Sequence, residues 1–127
     1  NPAEQAKFAR AWTAWENALA SLESPGFGSS PSTDYAKAFA RLENHYFSNK
    51  GFLKTDNQIF NNLHLVKHIP LTIVQGRYDM ICPPASAQSL HHKWPESKLI
   101  MVPTAGHAMS EPGIASALIA TMDKLKN

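Results

Sequence analysis

The fold of this chain is decided by the stretch Leu71-Thr72-Ile73-Val74-Gln75-Gly76-Arg77-Tyr78-Asp79. Residues 71–75 are short and nearly all apolar, which is typical of a strand buried on both faces of a parallel sheet. Gly76 suits a sharp turn at the end of that strand, and Asp79 follows three residues later. The stretch therefore predicts a buried strand that delivers a carboxylate at its carboxyl end.

A second predicted strand delivers an imidazole in the same way. It covers residues 98–102 and is followed by Thr104-Ala105-Gly106-His107. Between the two strands, Pro83-Pro84 opens a predicted helix that runs to about Trp94. A last helix begins near Pro112, and a buried stripe is predicted on it at Ile114, Leu118, Ile119, Met122 and Leu125. This order predicts a parallel β-α-β-α unit of an α/β fold.

The part before residue 67 reads as helical only. A helix is predicted from about Pro2 to Leu22, with one apolar face formed by Phe8, Ala11, Trp12, Trp15, Ala18, Leu19 and Leu22. A loop rich in Pro, Gly and Ser follows at residues 24–31. Asp34 is a plausible N-cap for a second helix, which ends near Gly51, a residue suited to a left-handed conformation.

A short helical patch from Asp56 to about Leu65 completes the helical part. Between Val66 and Pro70 the pattern changes from apolar residues at helical spacing to the short apolar run of the first predicted strand. We therefore predict two regions, a helical cap segment at residues 1–66 and the C-terminal end of a larger α/β core at residues 67–127.

Asp79 and His107 each follow a strand, and ligands in open α/β sheets bind at the carboxyl ends of strands. An acid followed by a histidine along the chain is the order of these two groups in the catalytic triad of α/β-hydrolases. Taken singly, Asp79 is also readable as a turn residue and His107 as a loop histidine. The triad serine belongs on a Gly-x-Ser-x-Gly turn, and the sequence has none. We therefore expect the C-terminal portion of a longer enzyme.

Four motifs carry a resemblance to one family. They are Gly76-Arg77-Tyr78-Asp79-x-x-Cys82-Pro83, Ala105-Gly106-His107 with Glu111-Pro112 after it, Ala11-Trp12-x-x-Trp15-Glu16, and Ala40-Arg41-Leu42-Glu43-Asn44-His45-Tyr46-Phe47. With these motifs the whole chain resembles the C-terminal portion of the proline iminopeptidases, which are α/β-hydrolases with a helical cap.

The resemblance implies a role for five residues. Asp79 matches the triad acid and His107 the general base. Glu16 and Glu43 match the cap glutamates that recognise the free amino terminus, and Phe47 matches the pocket for the proline ring. Spacing alone favours a solvated helix position for Glu16, whereas the aromatic neighbours of Glu43 indicate partial burial.

The expected function is that of the C-terminal portion of a serine aminopeptidase that releases N-terminal proline from peptides. In the family the serine and the oxyanion loop precede the cap, so this chain alone is expected to be inactive. Self-association or pairing with the N-terminal half is then expected. Two alternatives stay open: another capped α/β-hydrolase acting on an ester, lactone or amide, and a non-catalytic module for assembly or binding.

Composition narrows the classes of partner. The net charge is +2 over 127 residues and Lys and Arg are scattered, so nucleic acid is not an expected partner. No apolar run has the length of a membrane span. The single cysteine, Cys82, excludes an internal disulfide and favours a reducing compartment such as the cytoplasm.

Neither a cofactor nor a metal is expected. Cys82 lies three residues after Asp79 and is read as a thiol near the site, because no second base is placed to activate it. His64 and His68 have the i,i+4 spacing of a zinc pair, but no third ligand is evident in the sequence.

Overall fold

The computed structural model describes residues 1–22 and 31–126. In this part of the chain the elements are α1 (Pro2–Ala20), α2 (Thr33–Ser48), α3 (Gln58–Asn61), β1 (Thr72–Gly76), α4 (Pro84–Lys93), β2 (Lys98–Val102) and α5 (Pro112–Asp123). Short 3₁₀ turns lie at Lys50–Phe52 and Leu63–Leu65. Residues 24–30 of the predicted loop lie outside the described residues.

The two strands form a parallel pair, with Thr72 opposite Lys98 and Gly76 opposite Val102. Helix α4 connects them and packs on both, and α5 also packs on both. The predicted α/β class and the parallel β-α-β-α order are confirmed. Strand β2 has its predicted bounds, and β1 begins and ends one residue later than predicted. Because the two parallel strands pair residue by residue over their whole length, their carboxyl ends meet at one edge of the sheet.

Helices α1 and α2 pack through small residues. Ala9, Ala36 and Ala40 are buried between them, and Trp12 packs against this cluster. The apolar face predicted for α1 is wrong in part, because Phe8 is 67% exposed and Trp15 is 56% exposed. Alanines let the two helix backbones approach closely, so the large side chains lie outside the contact.

Two local predictions in the helical part are corrected. Ser32, not Asp34, is the N-cap of α2, since its hydroxyl accepts a hydrogen bond from the backbone N–H of Tyr35. The patch predicted over residues 56–65 contains only the short α3 and a 3₁₀ turn. There the Asn62 side chain donates to the backbone oxygen of Gln58, an interaction that competes with continued helix formation. Gly51 adopts the expected left-handed conformation, with φ of 61°.

Only part of the stripe predicted on α5 is buried. Ile114 forms a cluster with Val102 and Ala105, and Leu118 packs against it. The stripe prediction is wrong for three residues, which are exposed: Ile119, Met122 and Leu125. Within the described ranges, the two strands cover one face of α5 and leave these side chains outside the contact. The same ranges contain no helix long and apolar enough to cross a bilayer.

Candidate active site

Asp79 is a buried carboxylate held by its own turn. One carboxylate oxygen accepts hydrogen bonds from the backbone N–H groups of Ile81 (2.9 Å) and Cys82 (2.7 Å). The other lies 3.2 Å from the side-chain nitrogen of Gln75 and 3.0 Å from Nδ1 of His107. Burial raises the pKa of Asp79, but the hydrogen bonds from Cys82, His107 and Ile81 and the charge of His107 together outweigh burial and hold its pKa below the ordinary value. The group is therefore a fixed anion at neutral pH.

His107 lies in the loop after β2 and faces Asp79 through Nδ1. The side chain of Asp79 is 6% exposed, whereas that of His107 is 40% exposed. An anionic carboxylate can only accept a hydrogen bond, so Nδ1 is assigned the proton and Nε2 is left as the basic nitrogen. This arrangement is an oriented base with one open nitrogen.

The loops after the two strands lie against each other because Gly76 allows their backbones to approach closely. Beyond the sheet, the N–H of Arg77 donates to Val102 and that of Tyr78 donates to Ala105, both over 2.9 Å. A Cβ atom on Gly76 would lie 1.9 Å from the backbone oxygen of Gly106. No side chain fits at position 76, so glycine is required where the two loops meet.

The His107 loop is also bound to the end of α1. The backbone oxygen of Ala20 accepts hydrogen bonds from the N–H groups of His107 and Ala108, each over 2.8 Å. Helix α1 therefore ends against the loop that carries the base. This contact joins the helical part of the chain to the site.

Glu16 lies on α1, one turn before its end, and is only 7% exposed. The preference for a solvated position, which rested on spacing, is wrong: Glu16 lies on the same face of α1 as Ala9 and Thr13, and these three are the buried residues of the helix. Burial and then the negative charge of Glu43 raise the pKa of Glu16, while His107 acts in the opposite direction. Glu16 is thus close enough to both the second glutamate and the base for their charges to affect it.

Glu43 and Phe47 lie on α2 and meet α1 through Trp12. The indole nitrogen of Trp12 donates to the Glu43 carboxylate over 2.6 Å, and Glu43 is half-buried. The ring of Trp12 lies 6.2 Å from that of Phe47 and 6.0 Å from that of Trp15. Phe47 is 60% exposed, so an aromatic surface open to solvent lies beside the Glu43 carboxylate.

Cys82 lies beside Asp79 but its backbone, not its thiol, makes the contact. The residue is exposed. Partial burial of the thiol and the charge of Asp79 raise the pKa of Cys82. A raised pKa lowers the thiolate fraction, which is the opposite of what a nucleophilic cysteine needs.

Two polar residues at the site were missed by the sequence reasoning. Gln75 is buried in β1, and its amide nitrogen donates to Asp79 and to the backbone oxygens of Gly76 and Cys82. Glu111 is buried after the His107 loop and accepts from the N–H groups of Gly106 and Leu22. A polar residue inside an otherwise apolar strand was the available signal for Gln75. Glu111 was noticed only as part of the Glu111-Pro112 motif.

No group of three side chains suited to a metal ion occurs among residues 1–22 and 31–126. The imidazole of His64 instead lies 3.2 Å from the backbone oxygen of Asn61.

A parallel β-α-β-α unit that brings an anion and an oriented histidine together at one sheet edge defines the class of the α/β-hydrolases. Comparison with known proteins agrees: the α/β-hydrolase family model described as "TAP-like protein" matches residues 51–124. The chain belongs to this family.

Comparison with individual proteins shows which kind of α/β-hydrolase the chain resembles. The chain is 51% identical over 118 residues to a probable proline iminopeptidase of Leptolyngbya boryana, a match that covers 91% of this chain and 37% of the relative. It is 47% identical over 120 residues to the proline iminopeptidase of Arabidopsis thaliana, covering 93% and 32% respectively. The chain therefore spans about a third of the length of these relatives, in their C-terminal part. The resemblance to the C-terminal portion of proline iminopeptidases is confirmed.

Proposed function

We propose that this chain is the C-terminal part of a serine aminopeptidase that releases N-terminal proline from peptides. The observation that carries the proposal is the position of the buried Glu16, one turn before the helix end that binds the loop of the oriented base His107. An aminopeptidase needs these two groups near each other, because it must hold a charged amine beside the bond that it cleaves. The names of the relatives support the same activity.

In the proposed mechanism Asp79 keeps the proton on Nδ1 of His107 and stabilises the imidazolium that forms. Nε2 takes the proton from a serine hydroxyl as that oxygen attacks the carbonyl carbon of the substrate. The same proton then passes to the leaving amine. Nε2 next takes a proton from water as the water oxygen attacks the acyl-serine ester, and that proton returns to the serine oxygen as proline leaves. The serine and the oxyanion donors come from outside this sequence, so the chain alone is inactive and acts together with the N-terminal half.

Glu16 and Glu43 bind the ammonium group of the substrate. Two carboxylates near each other repel when no cation is present, so a bound ammonium relieves that repulsion and is favoured over a neutral amide. Phe47 and the neighbouring Trp12 supply an apolar aromatic wall for the proline ring. In this proposal residues 1–66 belong to the cap and residues 67–127 to the hydrolase core, in a cytoplasmic enzyme.

The test uses the full-length protein that carries this chain and proline β-naphthylamide as substrate. His107→Ala is expected to lower kcat by about 10⁶-fold, the loss typical of removing a triad base. The matched control is His92→Ala, a change of an exposed histidine on α4 that should leave kcat unaltered. Unchanged turnover after His107→Ala would contradict the proposal.

A blocked substrate separates this function from the other capped hydrolases. N-acetylproline β-naphthylamide has no ammonium group, so the proposed enzyme should cleave it far more slowly than the free-amine substrate. Equal rates on both would favour the ester, lactone or amide hydrolase instead.

A further inference from the structure

We propose that Glu111 is a positioning residue that fixes the end of α1, and with it Glu16, against the loop that carries His107. The inference rests on the proposed function of Glu16 and His107. Glu111 itself touches neither the imidazole nor the Glu16 side chain in the hydrogen bonds that the described residues make. Glu111 instead sets the distance between Glu16, the carboxylate proposed to bind the amine, and His107.

The carboxylate of Glu111 joins two parts of the chain that are far apart in sequence. It is 6% exposed. Oε2 accepts the N–H of Gly106 over 2.7 Å, and Oε1 accepts the N–H of Leu22, just beyond the end of α1. Hydrogen bonds to an ionised carboxylate are about twice as strong as those between neutral groups, and burial limits competition from water.

The rest of the junction is equally close. The backbone oxygen of Ala20 binds the two amides that follow Gly106, as described above. A Cβ atom on Gly106 would lie 3.0 Å from that oxygen and 3.3 Å from Oε1 of Glu111. Three successive amides of the His107 loop are therefore bound, directly or through Glu111, to the end of α1.

This junction fixes the position of Glu16 relative to His107. Glu16 lies four residues before Ala20 on the same helix, so the two are separated by one helical turn. An enzyme that removes one terminal residue must hold the ammonium group at a set distance from the scissile bond. A misplacement of 1 Å can cost about 10²-fold in rate, so fixing the helix end matters for substrates that use Glu16.

The test is Glu111→Gln in the full-length enzyme. Glutamine has one acceptor oxygen, and its NH₂ group faces the second backbone N–H, so one of the two hydrogen bonds is lost. We compare kcat/KM for proline β-naphthylamide with that for p-nitrophenyl acetate, an ester without an ammonium group. The ratio of the two is expected to fall by about tenfold.

Two further variants make the comparison specific. Glu96→Gln changes an exposed glutamate in the turn before β2 and should keep the wild-type ratio. Gly106→Ala crowds the junction from the other side and should lower the ratio as Glu111→Gln does. Equal losses on the two substrates would leave the ratio unchanged and assign Glu111 to the general support of the fold, and wild-type kcat/KM on both substrates would remove any role; either result overturns the inference.

Amide hydrogen exchange supplies a readout that needs no turnover. Glu111→Gln should speed exchange in the segments 16–22 and 103–109 together, and unchanged exchange in either segment overturns the inference. If the wild-type protein cleaves no proline substrate, the proposed function fails, and the exchange result alone decides whether Glu111 joins the two segments.

Discussion

Asp79 and Glu16 are both buried carboxylates near His107, yet their surroundings shift their pKa values in opposite directions. Burial raises the pKa of Asp79, but the backbone N–H groups of Cys82 and Ile81 and the imidazole of His107 together lower it. No hydrogen bond contributes to the shift of Glu16 among the described residues; burial and Glu43 raise its pKa. The first carboxylate has its donors built into the fold, whereas in the proposed function the second gains from the ammonium group of the substrate.

The opposite pKa shifts of the two carboxylates suit two different roles at one site. A carboxylate with fixed donors keeps its charge and its orientation at all times, which suits the permanent task of orienting a base. A carboxylate beside another carboxylate is most stable when a cation is bound, which suits recognition of a substrate ammonium. Substitutions in the full-length enzyme test this division.

The largest effect is expected from Asp79→Asn. Asparagine carries no negative charge. It therefore holds the proton on Nδ1 of His107 less firmly than the carboxylate does, and it does not stabilise the positive charge of the imidazolium. We expect kcat to fall by about 10⁴-fold on proline β-naphthylamide and by a similar factor on p-nitrophenyl acetate. Stopped assays of both substrates measure it. A loss confined to the free-amine substrate would place Asp79 in recognition and break the comparison.

Glu16→Gln should have a smaller and more selective effect. Removing one charged hydrogen bond to the substrate ammonium is expected to lower kcat/KM on proline β-naphthylamide by about 10- to 100-fold. The ester contains no ammonium group, so its kcat/KM should change far less. Glu4→Gln, an exposed change in the first turn of α1, is the matched control. Equal losses on both substrates would argue against a recognition role.

The pH dependence of KM sharpens the same point. As the pH falls through the raised pKa of Glu16, the carboxylate is protonated and binds the ammonium less well, so KM should rise. Glu43→Gln removes a negative charge that raises the pKa of Glu16, so the rise should begin at a lower pH. KM measured across the acidic range tests this. If KM of Glu43→Gln begins to rise at the same pH as in the wild type, or at a higher pH, the coupling between the two glutamates is contradicted.

The smallest effect is expected from Cys82→Ser. The backbone N–H of Cys82 holds Asp79, and serine keeps that N–H, so kcat/KM should stay within about threefold of wild type. Initial rates on proline β-naphthylamide are sufficient to measure it. A loss comparable to that of Asp79→Asn would show that the thiol itself has a role.

The sequence was most informative where one residue type has one structural use. An apolar run followed by glycine and aspartate predicted β1 and the placement of Asp79, and the second run did the same for β2 and His107. The bounds of both strands agree with the structure to within one residue. Both predictions depend on short-range chemistry, which a linear pattern carries.

The burial of Glu16 could not be read from helical periodicity. The apolar side chains of α1 favour a face that contains Phe8 and Trp15, whereas the contact with α2 uses Ala9, and Thr13 is buried on the same face as Ala9. Which face is buried depends on how closely another helix approaches, and that is a property of the pair of helices. Glu111 was missed for a related reason, because one of its partners, Leu22, lies in a distant part of the sequence.

The contact between Ala20 and the His107 loop also brings the end of a long helix to that loop. Backbone carbonyls at a helix C-terminus carry the negative end of the helix dipole, equivalent to roughly half an elementary charge. Helix α1 has 19 residues, and its last carbonyl accepts the amides of His107 and Ala108. The negative end of this helix dipole therefore lies at the backbone of the loop that carries His107.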